Sequence, residues 1–248
     1  PKSERDRLKD IGGFVGGTLK EGRRKAESVA WRSIITLDAD YAQPDFWSNF
    51  TMFFDYAAAV YSTHSHTPES PRVRLLIPLS RQVTPDEYQA VARTVAYDIG
   101  IDQFDDSTYE PSRLMYWPST CSDGEYIFRY QDGPWLDPDE ILHRYDDWTD
   151  TSYWPQSSRV HEDLRRRAKL AGDPLEKPGI VGAFCRTYDV EAAIEKFLPD
   201  VYEKCDKPNR YTYIPGSTAA GLIVYDDGKF VYSHHGTDPI GSKLCNAF

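Results

Sequence analysis

The sequence of 248 residues lacks the features that mark several large classes of protein. No apolar run approaches the roughly 20 residues that a membrane-spanning helix requires, and we expect no secretory leader. The four cysteines are widely scattered, so they match neither the paired spacing of zinc sites nor a dense disulfide framework. We therefore expect a protein of a reducing, cytoplasmic compartment with no membrane partner.

Positive charge is also scarce, because 29 Lys and Arg residues stand against 39 Asp and Glu residues, which gives a net charge of −10. A chain with this balance does not coat nucleic acid by bulk electrostatics. Any contact with nucleic acid must therefore be a local groove. One basic cluster, formed by Lys20, Arg23, Arg24 and Lys25, lies in the glycine-rich opening segment, whose glycines would let the backbone approach a phosphate.

Two aspartates at the end of an apolar run are the most informative feature that the chain does contain. Residues 33–37 are mostly β-branched and aliphatic, which favours a strand, and residues two apart on a strand point to the same face. Asp38 and Asp40 should therefore project together, and paired carboxylates bind hard cations such as Mg²⁺ or Mn²⁺. Two such ions can clamp the attacking and leaving oxygens of a phosphoryl transfer. The alternative is a polar turn that merely follows a strand.

A second group of residues is suited to phosphate. His64 and His66 lie in a polar loop, and Arg72 and Arg74 lead into a strand predicted over residues 73–79. If that strand lies beside the strand of the two aspartates, these side chains come close to the carboxylates. Arg and His can then donate to the oxygens of a triphosphate.

A third acid follows in residues 104–113. Asp105 precedes a short predicted strand and has Arg113 eight positions later. Asp106 and, more weakly, Asp102 compete with Asp105 for the same role. Three acids together with phosphate-holding cations are the minimum set for polymerase-type chemistry.

The order of the predicted elements defines the fold class. Strand, helix, hairpin, helix and strand is the order of a split βαβ unit, so we expect an α+β fold with an RRM-like or ferredoxin-like mixed sheet and flanking helices. Thr84 to Glu87 predict a capped helix start. The expected elements are strands at 33–37, 57–61, 73–79 and 114–117, helices at 44–56, 84–99 and 138–144, and a hairpin at 126–130.

Composition separates the last third of the chain from this core. A linker rich in Trp, Asp, Ser and Pro is expected over residues 146–158. Beyond it we expect a smaller α/β accessory region with a helix at 190–197 and a hairpin whose turn is Asp226-Asp227-Gly228. The predicted domains are therefore residues 1–150 for the core and residues 151–248 for the accessory region.

Three of these motifs resemble those of the archaeo-eukaryotic primase (AEP) superfamily. Its hydrophobic-Asp-x-Asp, small-x-His and hydrophobic-Asp motifs correspond to Leu37-Asp38-Ala39-Asp40, Ser62-Thr63-His64 and Phe104-Asp105. Over roughly Arg5 to Tyr145, the chain is similar to the primase-polymerase modules that precede a virulence-associated E-type helicase domain in phage and prophage replication proteins. Residues 105–119 are the most specific local match.

The resemblance implies a DNA primase-polymerase that transfers a nucleotide from a dNTP or NTP to a primer 3′-hydroxyl on a single-stranded DNA template. Asp38, Asp40 and Asp105 would be the catalytic residues and would bind two Mg²⁺ or Mn²⁺ ions. A helicase domain would lie downstream in a longer protein, of which we expect this chain to be a piece, in the cytoplasm of a bacterial host cell. The residues implied to bind nucleotide are His64, His66, Arg72, Arg74 and Arg113, and those implied to contact DNA are Lys20, Arg23, Arg24 and Lys25.

One departure from the family pattern leaves the nucleotide contact open. In many members the histidine lies within the strand, at the position that Arg74 occupies here, whereas His64 and His66 lie upstream in a loop. Either Arg74 or His64 could hold the phosphates. De novo priming and extension, and dNTP and NTP, remain alternatives within this interpretation.

Two other functions use similar residues. A rolling-circle replication endonuclease combines paired histidines with a nucleophilic tyrosine, for which Tyr88 and Tyr97 are candidates, although His64-Ser65-His66 has a polar middle residue. A catalytically silent module of a replisome would bind single-stranded nucleic acid in the same groove without turnover.

Overall fold

The computed structural model describes residues 10–248, so the first nine residues of the predicted core domain lie outside the described part. The chain divides into two compact units, of which the first ends at Arg144 and the second runs from Tyr145 to Phe248. Each unit contains its own five-stranded sheet together with helices. The predicted α+β class is therefore confirmed. None of the helices in residues 10–248 has the length and apolarity to cross a membrane.

The first unit carries the motifs. In chain order its helices and strands are β1 (Gly13–Phe14), β2 (Gly17–Leu19), β3 (Val29–Ala39), α1 (Phe46–Phe53), β4 (Ala58–Ser62), β5 (Val73–Val83), α2 (Pro85–Ile99), β6 (Met115–Tyr116), β7 (Phe128–Gln131) and α3 (Pro138–Leu142). Short 3-10 turns join several of these elements. The strands of the sheet have the order β2-β3-β5-β4-β7, and every neighbouring pair is antiparallel.

The centre of this sheet matches the predicted split βαβ arrangement, because β5 lies between β3 and β4. The sheet was expected to be mixed, but parallel pairing among its described residues is limited to the isolated bridge between Leu79 and Leu136. The prediction of a hairpin at 126–130 is also wrong. That segment contains only the edge strand β7, which pairs with β4.

The strand expected at 114–117 forms but does not join the sheet. Met115 and Tyr116 pair instead with β1 in a separate two-stranded ribbon, and β2 takes the place beside β3. Glycine explains both pairings, because a Cβ on Gly13 would lie 2.6 Å from the carbonyl oxygen of Met115 and one on Gly17 would lie 2.0 Å from that of Trp31. These two glycines of the opening segment therefore serve strand pairing, rather than the phosphate approach predicted for that segment.

Helix α2 is built from local signals. Thr84 accepts from the Glu87 backbone amide while the Glu87 carboxylate accepts from the Thr84 amide, which completes the predicted capping box. Gly100 ends the helix with φ 117°. The apolar residues of α2 pack near β3, where Ile35 and Leu37 are fully buried. Alternation along β3 then directs Asp38 to the opposite face of the sheet.

The second unit contains more strand than the single predicted hairpin. Its helices and strands are α4 (Val160–Ala171), α5 (Gly179–Thr187), α6 (Val190–Phe197), β8 (Tyr202–Lys204), β9 (Arg210–Tyr213), β10 (Leu222–Tyr225), β11 (Phe230–Ser233) and β12 (Leu244–Cys245). The sheet has the order β12-β11-β10-β9-β8, and all four pairs are antiparallel. The hairpin between β10 and β11 is confirmed, with positive φ at Asp226, Asp227 and Gly228.

Candidate active site

The register of the first sheet sets one row of polar side chains across three strands. Asp38 on β3 lies opposite Arg74 on β5, and Arg74 lies opposite Tyr61 on β4. Arg74 donates from Nη2 to Asp38 Oδ2 at 3.0 Å, and from Nη1 to the Tyr61 hydroxyl at 3.2 Å and the Tyr116 carbonyl at 2.7 Å. The guanidinium is therefore largely occupied by acceptors of the protein itself.

The third acid reaches this row through backbone hydrogen bonds. The Asp105 amide donates to the Asp38 carbonyl at 2.9 Å. The Thr108 hydroxyl accepts from the Asp38 amide and donates to the Thr36 carbonyl, both at 2.9 Å. These bonds hold the segment after α2 against the end of β3, so Asp105 lies next to Asp38 despite their distance in sequence.

A short turn orients the Asp105 side chain. Its Oδ1 accepts from the Ser107 amide at 2.8 Å and from the Ser107 hydroxyl at 2.6 Å, which caps the 3-10 turn Asp106–Tyr109. The carboxylate is thereby fixed at the start of the turn.

Arg32 supports the same region and was missed in the sequence. It is fully buried and donates to the carbonyls of Gly16, Pro111 and Ile34 and to the Thr36 hydroxyl, at 2.7 to 3.1 Å. Burial lowers its pKa, with partial compensation from Tyr88. Arg32 lies an even number of residues before Thr36 and Asp38 in a mostly apolar strand, and this shared face was the signal in the sequence that could have revealed it.

These elements enclose a polar pocket of about 290 Å³ in the first unit. It contains all three predicted metal ligands, four of the five predicted nucleotide-binding residues and one residue of the basic cluster. The predicted residues that line it are Arg24, Asp38, Asp40, His64, Arg72, Arg74, Asp105 and Arg113.

Other predicted residues lie elsewhere. His66 is buried, and its Nδ1 accepts from the Arg72 amide at 3.1 Å, so it shapes the loop rather than facing the pocket. Of the two competitors of Asp105, neither is among the described residues that line the pocket. The basic residues Lys20, Arg23 and Lys25 are exposed and lie outside the pocket lining as well.

Three other basic side chains that line the pocket are more exposed than Arg74. Arg72 approaches Asp40 at 3.5 Å, and both side chains are partly exposed. Arg24 makes a 3.5 Å contact with the carbonyl of Ser112. His64 contacts the Ser119 hydroxyl through Nδ1 at 3.2 Å and the Cys121 thiol through Nε2 at 3.6 Å, so a phosphate would have to displace one of these contacts.

The electrostatics of the pocket favour a cation. The pKa of Asp40 is raised by burial and by the nearby Asp38 and Asp105 carboxylates, against the opposing effect of Arg72 and Arg74. Asp38 Oδ1 is buried and has no hydrogen-bond partner within residues 10–248.

A divalent cation would relieve both conditions, so the donors present fit Mg²⁺ or Mn²⁺ chemically. The side chains are not closed around one point, since no set of three or more His, Cys, Asp or Glu residues in the described chain is arranged to hold a metal ion. Arg72 and Arg74 instead pair with the carboxylates of Asp40 and Asp38. Cation binding would therefore require local rearrangement.

The fold and the pocket define an α+β domain whose sheet presents a cluster of acids and arginines. The sequence model of the VapE N-terminal domain matches residues 1–157, which is more than half of the chain, so the chain belongs to the VapE N-terminal domain family. This membership fits a replication-associated protein of a phage or prophage. No curated protein and no solved structure matches the chain.

Proposed function

We propose that this chain is a DNA primase-polymerase module of AEP type that transfers nucleotides from dNTP or NTP to a 3′-hydroxyl on a single-stranded DNA template. The observation that carries the proposal is the convergence of Asp38, Asp40 and Asp105 in one pocket that also contains several arginines. Acids for cations and arginines for a triphosphate are the two requirements of nucleotidyl transfer.

Asp38, Asp40 and Asp105 would hold two divalent cations, Mg²⁺ or Mn²⁺. Bound there, the cations supply activation of the 3′-hydroxyl and neutralisation of charge on the departing pyrophosphate. The protein contributes the orientation of the carboxylates: Arg74 pairs with Asp38, and Ser107 donates to Asp105. Arg72 contacts Asp40.

The phosphates of the nucleotide would contact Arg72, Arg113 and His64, which line the pocket. The occupied guanidinium of Arg74 supports a positioning role for that residue, with His64 as the phosphate contact. Arg24 would extend the positive edge of the pocket toward DNA, together with its exposed neighbours in the basic cluster.

The rolling-circle endonuclease is less well supported. Tyr88 is fully buried, and its hydroxyl lies 3.4 Å from the carbonyls of Thr36 and Thr108, so it is not accessible as a nucleophile. Tyr97 is exposed but is not among the described residues that line the pocket of His64. His66 is engaged with the loop backbone, which leaves only His64 of the pair in the pocket. The silent binding module is a second candidate because the carboxylates are paired with arginines.

The test is incorporation of labelled nucleotide on primed and unprimed single-stranded DNA, with Mg²⁺ or Mn²⁺. Asp38→Asn/Asp40→Asn should reduce incorporation by at least about 100-fold. Asp123→Asn/Asp132→Asn, which changes two exposed aspartates of the same unit, is the matched control and should retain activity. A folded wild-type chain that binds DNA but incorporates nothing would favour the silent module.

We also propose that the module acts ahead of a helicase domain of a longer protein, in the cytoplasm of a bacterial host cell. The family is named for an N-terminal domain, which supports this arrangement.

A further inference from the structure

An exposed aromatic stripe runs along the outer edge of the first sheet, and the proposed chemistry does not use it. It consists of Tyr126, Phe128 and Tyr130, whose residues are 48%, 56% and 65% exposed. The last two lie on β7, and hydrogen bonds between Ser62 and Ile127 continue the pairing toward the first. Alternation along β7 puts the rings of Phe128 and Tyr130 on one face, and Tyr126 precedes Phe128 by the same interval of two residues.

The register shows which face this is. Phe128 lies opposite Tyr61, which lies opposite Arg74, which lies opposite Asp38. Cross-strand partners share a face of the sheet, so the stripe lies on the same face as the acidic row of the pocket. Tyr61 itself lines the pocket, and the stripe is therefore continuous with the candidate active site.

The surroundings leave the rings accessible. Tyr130 lies opposite Ala59, whose methyl side chain cannot cover a phenol ring. The ring centroids of Phe128 and Tyr130 are 6.2 Å apart with an interplanar angle of 34°, so the rings are tilted neighbours rather than a closed stack. Single exposed rings are normal on protein surfaces, whereas neighbouring exposed rings form an apolar patch of the kind that marks a binding site.

Successive exposed rings on an open sheet face suit unpaired bases. Every base has a π-face, so stacking on aromatic side chains is tolerant of sequence, as a template-reading enzyme requires. A duplex, whose bases are already stacked, offers no such surface. The occupant must also lead into the pocket, which fits the template strand beside the site of transfer.

Resting on the proposed function, we propose that Tyr126, Phe128 and Tyr130 form a stacking site for bases of the single-stranded DNA template as it approaches the acidic pocket. Each ring stacks with a base through its exposed face, and the row through Tyr61 connects this site to Asp38.

The test is the affinity of the whole chain for a fluorescently labelled oligothymidylate of about 20 nucleotides, longer than one stacking site requires. The assay contains chelator, so it does not depend on turnover. Phe128→Ala/Tyr130→Ala should weaken binding by about tenfold or more, because each base-ring stack is lost. Binding of the same sequence as a duplex should change little.

Two controls isolate the rings. Phe128→Tyr/Tyr130→Phe keeps both rings and should bind like wild type. Phe53→Ala removes an equally exposed ring from α1 and should also bind like wild type. As a second measurement, photocrosslinking of an oligonucleotide that contains 5-iododeoxyuridine should label the stripe, and mass spectrometry should locate the adduct there.

The outcomes separate this site from the proposed chemistry. If wild type incorporates nucleotide and Phe128→Ala/Tyr130→Ala binds single-stranded DNA as well as wild type does, the proposed stacking site is overturned and the proposed activity stands. If wild type incorporates no nucleotide and the double variant binds single-stranded DNA more weakly than wild type, the proposed activity is overturned and the stacking site is supported. The proposed stacking site is also overturned if wild type does not bind single-stranded DNA, or if all crosslinks lie outside Tyr126, Phe128 and Tyr130.

Discussion

Arg74 lies directly opposite Asp38 on the neighbouring strand and donates to its Oδ2 at 3.0 Å. Both side chains are mostly buried, at 6% and 13% exposure. Burial alone would lower the pKa of Arg74, but the Asp38 carboxylate and the Tyr61 hydroxyl raise it overall. The pair therefore fixes the position of the Asp38 carboxylate at the edge of the pocket before any ligand binds.

We predict that Arg74→Ala destabilises the first unit by about 3 kcal/mol, because it leaves Asp38 buried without its partner. Arg74→Lys loses the planar guanidinium that contacts Tyr61 and the Tyr116 carbonyl. Because it keeps the positive charge beside Asp38, its loss of stability should be smaller than that of Arg74→Ala. Urea unfolding followed by tryptophan fluorescence measures both. Equal stability of the alanine variant and wild type would contradict a structural role for the pair.

Asp40 provides a prediction about pH. Its pKa is raised in the folded protein, so the folded state holds the proton to higher pH than the unfolded state. The free energy of unfolding then falls as pH rises from the pKa of an ordinary Asp, about 3.9, through the raised pKa of Asp40. The loss of stability persists at neutral pH. Asp40→Asn should therefore raise the melting temperature of the metal-free chain at pH near 7.

The gain should disappear when the melt is repeated below the ordinary Asp range, where the wild-type carboxyl is already protonated. We expect Mn²⁺ to stabilise wild type, and the same variant should lose that stabilisation because a ligand is gone. Asp123→Asn is the control for the removal of an exposed charge. A lower melting temperature of Asp40→Asn in chelator would show that its pairing with Arg72 outweighs the repulsion.

Thr108 is predicted to position the acids without touching the substrate. Thr108→Val keeps the shape but removes the acceptor of the Asp38 amide and the donor to the Thr36 carbonyl. An unpaired buried amide should cost about 1–3 kcal/mol. In the nucleotide incorporation assay, kcat should fall while the KM for nucleotide changes little.

Thr108→Ser retains the hydroxyl and should restore kcat. A rise in KM alone, with kcat unchanged, would instead indicate contact with the nucleotide.

The two histidines should differ in kind. His64 lines the pocket, so His64→Ala should raise the KM for nucleotide with little change in unfolding free energy. His66 accepts from the Arg72 amide in a buried loop, so His66→Ala should lower stability by about 1–3 kcal/mol. Measuring both quantities on both variants checks the assignment, and the reverse pattern would refute it.

The predictable part of the fold depended on short-range patterns. The capping box at Thr84 and the turn at Asp226 to Gly228 each involve residues within one turn, and both formed as predicted. The β3 strand followed from its β-branched residues, and period-two alternation then accounts for Asp38 on the polar face.

The rest depended on partners far apart in sequence. Whether β6 joins the sheet or pairs with β1 is decided by the close backbone approach at Gly13, which local propensity does not contain. The neighbourhood of Asp105 likewise depends on Thr108 and the buried Arg32, whose hydrogen bonds join β3 to the segment after α2. His66 showed the same limit, because only the folded loop reveals that it faces inward.

The most direct measurement of the central claim compares two adjacent acids in nucleotide incorporation. Asp105 lines the pocket and its amide binds the Asp38 carbonyl, whereas Asp106 is outside the pocket lining. Asp105→Asn should lose at least about 100-fold in incorporation while a folded Asp106→Asn remains active. Equal activity of Asp105→Asn and wild type, with both chains folded, would contradict a nucleotidyl-transfer site built from Asp38, Asp40 and Asp105.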